Sequence, residues 1–229
     1  MEIQITHRPS FALAIATLTP NETINVEPGS MVSFSEGVTI HTQAQGGFFR
    51  GVKRMFGGEH FFMNTFTAPE QGGEITLAPQ LPGDMLTVTI EPDKTFLLKS
   101  GAYIASEPEV SFDISWGGAK GFFGGAGLLL LKVTGRGTLI LSVFGAIEER
   151  VLVEGQKYII DTGHIVAFDE TIQFEVRGMG NLKSTFLSGE GLVCELTGPG
   201  RVLLQTRSEE AFIDWLRPYF PSSSSSSSS

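Results

Sequence analysis

Residues Gly51–Met63 read GVKRMFGGEHFFM, and the same order of residue types returns as GAKGFFGGAGLLL in Gly118–Leu130 and NLKSTFLSGEGLV in Asn181–Val193. Each copy has a lysine two residues after Gly or Asn, an aromatic residue three positions later, a turn of small residues and an apolar run. The matched lysines are Lys53, Lys120 and Lys183. Similar lengths of chain separate them, which indicates three small units rather than a short-period solenoid.

A second recurring feature lies upstream of each copy. Apolar stretches at Ser30–Phe34, Gly101–Ser106 and Gly163–Phe168 are followed by segments that alternate apolar and polar residues, such as Val110, Phe112 and Ile114. This period of two is typical of half-buried strands, and Pro-Gly pairs such as Pro28-Gly29 predict the tight turns between them. The sequence predicts further strands at Ile3–Thr6, Ala12–Leu18, Glu74–Leu77, Leu86–Ile90, Leu139–Phe144 and Val202–Thr206. The fold class is therefore all-β.

The repeat divides the chain into three predicted domains, 1–95, 96–158 and 159–207. A short helix is predicted at 208–221, because Ser208 can cap it and Glu209 and Glu210 suit its positive first turn. The serine run at 222–229 cannot bury apolar surface, and we interpret it as disordered or an artefact.

Composition restricts the classes of function. Hydrophobic residues make up 41% of the chain and charged residues 18%, so a sizeable core is expected. The formal net charge of −9 opposes non-specific attraction to nucleic acid or anionic lipid. The single cysteine, Cys194, excludes an intrachain disulfide and is interpreted as a buried thiol. No signal-like leader or transmembrane run is evident, so we expect a cytoplasmic protein.

Several phrases of the sequence together resemble a known family. They are Leu81-Pro82-Gly83-Asp84, Phe123-Gly124-Gly125, Gly135-Arg136-Gly137, Asp161–Phe168, Gly189–Val193, Thr197–Gly200 and Gln205-Thr206-Arg207. In this order they resemble the Aim24 family of TRAP-like proteins over nearly the whole chain, Met1 to Arg207. The resemblance implies three tandem TRAP-like double-stranded β-helix domains in a pseudo-threefold chain, and a homotrimer that closes a ring. Eukaryotic relatives are linked to mitochondrial inner-membrane organisation, and bacterial members have no assigned activity. The resemblance therefore implies a shape and no chemistry.

The repeated lysines are the most site-like feature of the sequence. Lys53, Lys120 and Lys183 would repeat around a ring, and Arg50 and Arg54 flank the first of them, so we predict an anion- or ligand-facing surface there. In the alternative interpretation each lysine merely covers a loop with its apolar stem. The TRAP-like resemblance raises RNA as a ligand, whereas the acidic net charge argues against it.

Aromatic residues beside turns predict an interface. Consecutive phenylalanines in a strand point to opposite faces, so one of each pair faces away from the core. We expect these residues to meet another subunit, a partner protein or a membrane surface. The candidates are Phe48, Phe49, Phe61, Phe62, Phe122, Phe123 and Trp215.

Motifs for catalysis are missing from the sequence. The histidines His7, His41, His60 and His164 lack the His-x-His spacing of cupin metal sites, and no Gly-x-Ser-x-Gly elbow occurs. We therefore expect no catalytic residues, no metal and no cofactor, and predict a non-enzymatic oligomeric ring or scaffold. Two alternatives stay open: a cupin-like metal-dependent enzyme with His164 as a ligand, and a ring that binds small anionic ligands or RNA.

Overall fold

A computed structural model describes residues 1–43, 63–113, 122–123, 128–178 and 192–220. It is mostly β-strand with one short C-terminal helix, which confirms the all-β prediction and the presence of the helix, although the α-helix is shorter than the predicted 208–221. The strands are β1 (Glu2–Thr6), β2 (Leu13–Leu18), β3 (Thr23–Val26), β4 (Met31–Phe34), β5 (Thr39–Gln43), β6 (Met63–Thr67), β7 (Gly73–Leu77), β8 (Met85–Ile90), β9 (Phe96–Lys99), β10 (Tyr103–Ser106), β11 (Val110–Asp113), β12 (Phe122–Phe123), β13 (Leu128–Gly135), β14 (Gly137–Ser142), β15 (Ile147–Leu152), β16 (Lys157–Asp161), β17 (Ile165–Asp169), β18 (Gln173–Gly178), β19 (Leu192–Thr197) and β20 (Gly200–Gln205). The helix is α1 (Glu209–Leu216), and 3-10 turns occupy Ser100–Ala102, Thr162–His164 and Arg217–Tyr219.

One pattern of antiparallel pairing recurs three times along the chain. We name the three strand groups unit I (β2–β7), unit II (β8–β11 with β13 and β14) and unit III (β15–β20). In each unit the sixth strand lies between the first and the third, and the fifth lies between the second and the fourth. Even the register shift in the third strand recurs, between Met31 and Ser33, Tyr103 and Ala105, and Ile165 and Ala167. The three units are therefore repeats in topology as well as in sequence.

The predicted domain boundaries at 95/96 and 158/159 place the first strands of units II and III, β8 and β15, in the preceding domain. The strand pairing places each of them with the unit that follows. Strand β8 hydrogen-bonds to β14, and β15 hydrogen-bonds to β20, so each pairs with a strand that follows it in the chain. The lysine motif marks the segment before the fifth strand, and it carries no information about where the first strand of a unit begins.

Consecutive units join by strand pairing across two seams. Strand β3 of unit I pairs with β10 of unit II, and β9 of unit II pairs with β17 of unit III. The second strand of one unit thus always meets the third strand of the next. Each seam completes a sheet, giving the paths β5-β6-β3-β10-β14-β8 and β11-β13-β9-β17-β20-β15.

Each unit has its own apolar core, to which the neighbouring unit contributes at the seam. The core around Ile24, Phe66 and Ile75 includes Ile104 from unit II. The core around Phe168 and Val202 includes Leu97, likewise from unit II. Burial across the seams makes the three units one continuous body, because removal of either neighbour would expose core side chains to water.

Two motifs behind the family resemblance have a steric reason. A Cβ atom on Gly83 would lie 1.8 Å from the Val143 carbonyl oxygen, and one on Gly135 would lie 2.1 Å from that of Glu109. Gly135 also has a φ of 97°, a backbone conformation that residues with a Cβ rarely adopt. Glycine is the residue that both backbone approaches require. Next to Gly83, the Asp84 carboxylate accepts two hydrogen bonds from the Arg8 guanidinium, at 2.7 and 2.9 Å, and this pair ties the start of the chain to unit II.

Candidate assembly interface

Two strand edges lie at opposite ends of the row of units. The third strand of unit I, β4, ends the sheet β1-β2-β7-β4, and the second strand of unit III, β16, ends the sheet β16-β19-β18. In the two seams inside the chain, strands at these positions pair with each other. Within the described residues of one chain, β4 and β16 therefore each have a neighbour on one side only.

The apolar side chains of β4 are exposed to solvent. All four residues, Met31–Phe34, are exposed, and Phe34 is 41% exposed although its ring contacts buried Phe66 edge to face. The equivalent strands β10 and β17 are buried along almost their whole length. The sequence of β4 is as apolar as that of β17, so residue type does not explain the difference. Strands β10 and β17 each pair with the second strand of the preceding unit, whereas no such strand covers β4 among the described residues.

Strand β16 shows the matching exposure at the other end. Ile159 is 52% exposed, whereas Leu97, at the same position of β9, is 1% exposed. Beside it, Glu195 of β19 accepts hydrogen bonds from Lys157 at 2.6 Å and from Arg177 at 2.7 Å. These contacts lower the pKa of Glu195 below its ordinary value, Lys157 having the larger effect. The edge thus has an apolar centre and an ionic border, an anatomy typical of protein interfaces.

The C-terminal helix presents the second exposed apolar surface. The Ser208 hydroxyl caps α1 by accepting a hydrogen bond from the Ala211 amide, as the sequence predicted. Lys99 of β9 donates a 2.6 Å hydrogen bond to Glu209, which fixes the first turn to unit II. Trp215, a predicted interface residue, is 61% exposed and stacks on Phe212, so it lies on this surface and not at either strand edge.

Most of the other predicted site residues lie outside the part of the chain that the structure describes. These are Lys53, Lys120, Lys183, Arg50, Arg54, Phe48, Phe49, Phe61 and Phe62. Each lysine belongs to the segment that joins the fourth strand of its unit to the fifth. Phe122 and Phe123 form β12, which pairs with β13, and their side chains are also outside the described part. The anion-facing surface and the phenylalanine interface stay predictions.

The structure describes His164, the candidate metal ligand, and Cys194, the candidate nucleophile. His164 Nδ1 lies 2.8 Å from the Gln205 carbonyl oxygen, and Cys194 is buried, with a pKa that burial raises to about 12. Within residues 1–43, 63–113, 122–123, 128–178 and 192–220, no three His, Cys, Asp or Glu side chains come close enough to hold a metal ion. In the same ranges, no helix is long and apolar enough to cross a membrane.

Sequence reasoning did not single out Phe34 or Ile159. The alignment of Ser30–Phe34 with Gly101–Ser106 and Gly163–Phe168 was the signal that could have identified β4, because a linear row of repeats leaves its terminal units without one neighbour. Ile159 is the first residue of the third predicted repeat, and the recurring sequence motifs do not include it.

Comparison with known proteins agrees with this architecture. The family model described as "Mitochondrial biogenesis AIM24" matches residues 3–207. An uncharacterised protein of Streptococcus pyogenes is 28% identical to this chain over 233 residues, which cover 98% of this chain and 93% of that protein. A crystal structure of a Streptococcus pyogenes protein from a structural genomics consortium superposes with a TM-score of 0.79 at 25% identity, covering 96% of this chain and 99% of the other. From the match over residues 3–207 we conclude that the chain belongs to the AIM24 family.

Proposed function

We propose that this protein is a non-enzymatic scaffold subunit that forms a closed homotrimeric ring, in which each unit is a TRAP-like double-stranded β-helix domain. The main supporting observation is that two sheets of the chain each contain only part of the strand order found in the two seam sheets, and the two parts are complementary. The sheet β16-β19-β18 ends in the second strand of a unit, and the sheet β1-β2-β7-β4 ends in the third strand of a unit. Joined across β16 and β4, they would repeat the order of both complete sheets, with β1 as an added edge strand.

The internal seams fix the register of the proposed contact. Ala105 lies opposite Val26 in the first seam, and Ala167 lies opposite Leu98 in the second. The recurring register shift makes Ser33 the counterpart of both alanines. The pairing of each second strand with its fifth strand makes Ile160 the counterpart of Val26 and Leu98. Ser33 of one chain would then lie opposite Ile160 of the next, and Phe34 opposite Ile159.

This pairing supplies what each edge lacks. It would cover the exposed apolar face of β4 with Ile159 and would pair the free backbone groups of both strands. The contact joins unlike edges, so it repeats head to tail and must either close into a ring or grow into a filament. The resemblance to TRAP-like proteins implies closure with three chains.

A solution mass measurement tests the proposal. Light scattering on the eluting protein should give three times the chain mass of 24.7 kDa. The variant Ile159→Asp should elute as a monomer, because the new charge would face apolar Phe34. Val151→Asp is the matched control, since Val151 is an exposed residue of β15 away from both edges, and it should stay trimeric. A monomeric wild type at micromolar concentration would contradict the ring.

A further inference from the structure

A cavity of about 740 Å³ lies between α1 and the strand ends of all three units. Its lining includes Glu27 from unit I, Lys99 and Ser142 from unit II, and Gln205 from unit III, and α1 contributes one wall. Small-molecule sites commonly have volumes of roughly 300–1,000 Å³. The cavity is therefore large enough for a small organic ligand within a single chain.

The charges around the cavity are unequally compensated. Both basic side chains of its lining are already paired, Lys99 with Glu209 at 2.6 Å and Arg217 with Asp214 at 3.0 Å. Half-buried Glu27 accepts a 3.1 Å hydrogen bond from the Ser30 hydroxyl and has no basic partner among the described residues. The interior of the cavity thus offers a carboxylate without a counter-charge, which favours a cationic ligand over an anion.

A second polar group in the cavity wall lacks a partner. Ser142 is 7% exposed, and its hydroxyl makes no hydrogen bond to the described part of the chain. No fully enclosed polar side-chain atom in that part is without a hydrogen-bond partner. The Ser142 hydroxyl is therefore not fully enclosed, and because the residue lines the cavity, a ligand there could accept a hydrogen bond from it or donate one to it.

The two polar groups lie at the same end of the seam between units I and II. The Glu27 amide donates a 2.8 Å hydrogen bond to the Ile104 carbonyl oxygen. Tyr103, the neighbour of Ile104, lies opposite Leu141, which precedes Ser142. Among the apolar residues that line the cavity, Ile104 and Val143 are buried, whereas Leu81 and Phe144 are partly exposed and offer apolar surface to a ligand. A carboxylate and a hydroxyl beside apolar carbon match an ammonium group with a short alkyl chain.

We propose that this cavity binds a small primary aliphatic amine, whose ammonium group donates hydrogen bonds to the Glu27 carboxylate and the Ser142 hydroxyl oxygen while its carbon chain packs on Leu81 and Phe144. Burial raises the pKa of Glu27 to about 7, so part of the carboxyl population is protonated near neutral pH. Amine binding would favour the ionised carboxylate and release protons, so proton release can be measured as a second readout beside the affinity.

Titration with n-butylamine in an amine-free buffer tests the site. Heteronuclear NMR should show saturable shifts of the amides around Ile104 and Ser142, with one site per chain. Glu27→Gln should weaken binding at least tenfold, and Ser142→Ala should weaken it roughly two- to tenfold, the loss expected for one hydrogen bond. Glu70→Gln removes an exposed carboxylate outside the cavity and should leave the affinity unchanged.

Other outcomes would overturn the proposal. n-Butanol and butyrate have the same alkyl chain without the cation, and equal binding of either would exclude ammonium recognition. Retained affinity in a folded Glu27→Gln variant, or no binding of butylamine to the folded wild type, would also exclude it. The lining residues all belong to one chain, so the result does not depend on ring assembly.

Discussion

Ile159 holds the same strand position in unit III as Leu97 holds in unit II, yet the first side chain is exposed and the second is buried. Leu97 pairs with Phe168 of the following unit, whereas no unit follows unit III among the described residues. The difference in exposure therefore arises from the position of each unit in the order of units, and the proposed ring contact would remove it.

Disulfide formation can test the register of the proposed contact. Residues directly opposite on antiparallel strands have Cα atoms about 4.5–5.5 Å apart, within the range of a disulfide. Mixed oxidation of Phe34→Cys and Ile159→Cys chains should give a covalent dimer on a non-reducing gel. Phe34→Cys mixed with Lys157→Cys, two residues out of register, should cross-link much more slowly. Equal rates for both mixtures would mean that the register is different.

The close backbone approach at Gly83 predicts a severe effect of a single methyl group. Gly83→Ala would place its Cβ against the Val143 carbonyl oxygen, so the bridge between Gly83 and Gly145 must separate. We expect a loss of about 3 kcal/mol or more in the free energy of unfolding, measured by urea titration. Gly101→Ala is the control, since nothing lies within 4 Å of the added methyl group. A Gly83→Ala protein as stable as this control would disprove the steric explanation.

The raised pKa of Glu27 predicts a pH dependence of stability. Burial is the main cause of the rise, and the hydrogen bond from Ser30 opposes it. Because the folded-state pKa of about 7 is above the ordinary carboxyl value, the folded protein binds the proton more tightly than the unfolded chain does. This contribution is complete at acidic pH and is lost as the pH rises through 7. Glu27→Gln should therefore lose less thermal stability than the wild type between pH 5 and pH 8. An equal fall in the melting temperature of both proteins over this pH range would assign the dependence to another group.

The ion pair between Lys99 and Glu209 predicts how α1 is held. Burial alone would raise the pKa of Glu209, but the Lys99 ammonium outweighs it and the pKa is lower than usual. Lys99→Met should leave the Glu209 carboxylate without a cation and loosen the helix, because an eight-residue helix is marginal on its own. Limited proteolysis should then cut after residue 207 several times faster than in the wild type. The Arg217→Met variant, which breaks an exposed pair, should be cut at the wild-type rate.

Local features of this fold were predictable from the sequence, whereas the exposed strand edges and the cavity were not. Alternation at Val110 and Phe112, the Ser208 cap and the glycine motifs depend on neighbouring residues, and the structure agrees with each. Exposure of β4 depends on which unit precedes it, and Met31–Phe34 reads as apolar as the buried β17. The cavity brings together Glu27 and Ser142, which are far apart in sequence, so no local pattern could reveal it.

Strand β4 lies early in the chain and β16 lies late, so an interrupted polypeptide can have the first edge without the second. A polypeptide that stopped before β16 would lack β17 as well, and β9 would then have the free edge of a second strand in its place. A ring of the proposed kind that took up such a fragment would have one unit fewer than a ring of intact chains, and its curvature would have to change.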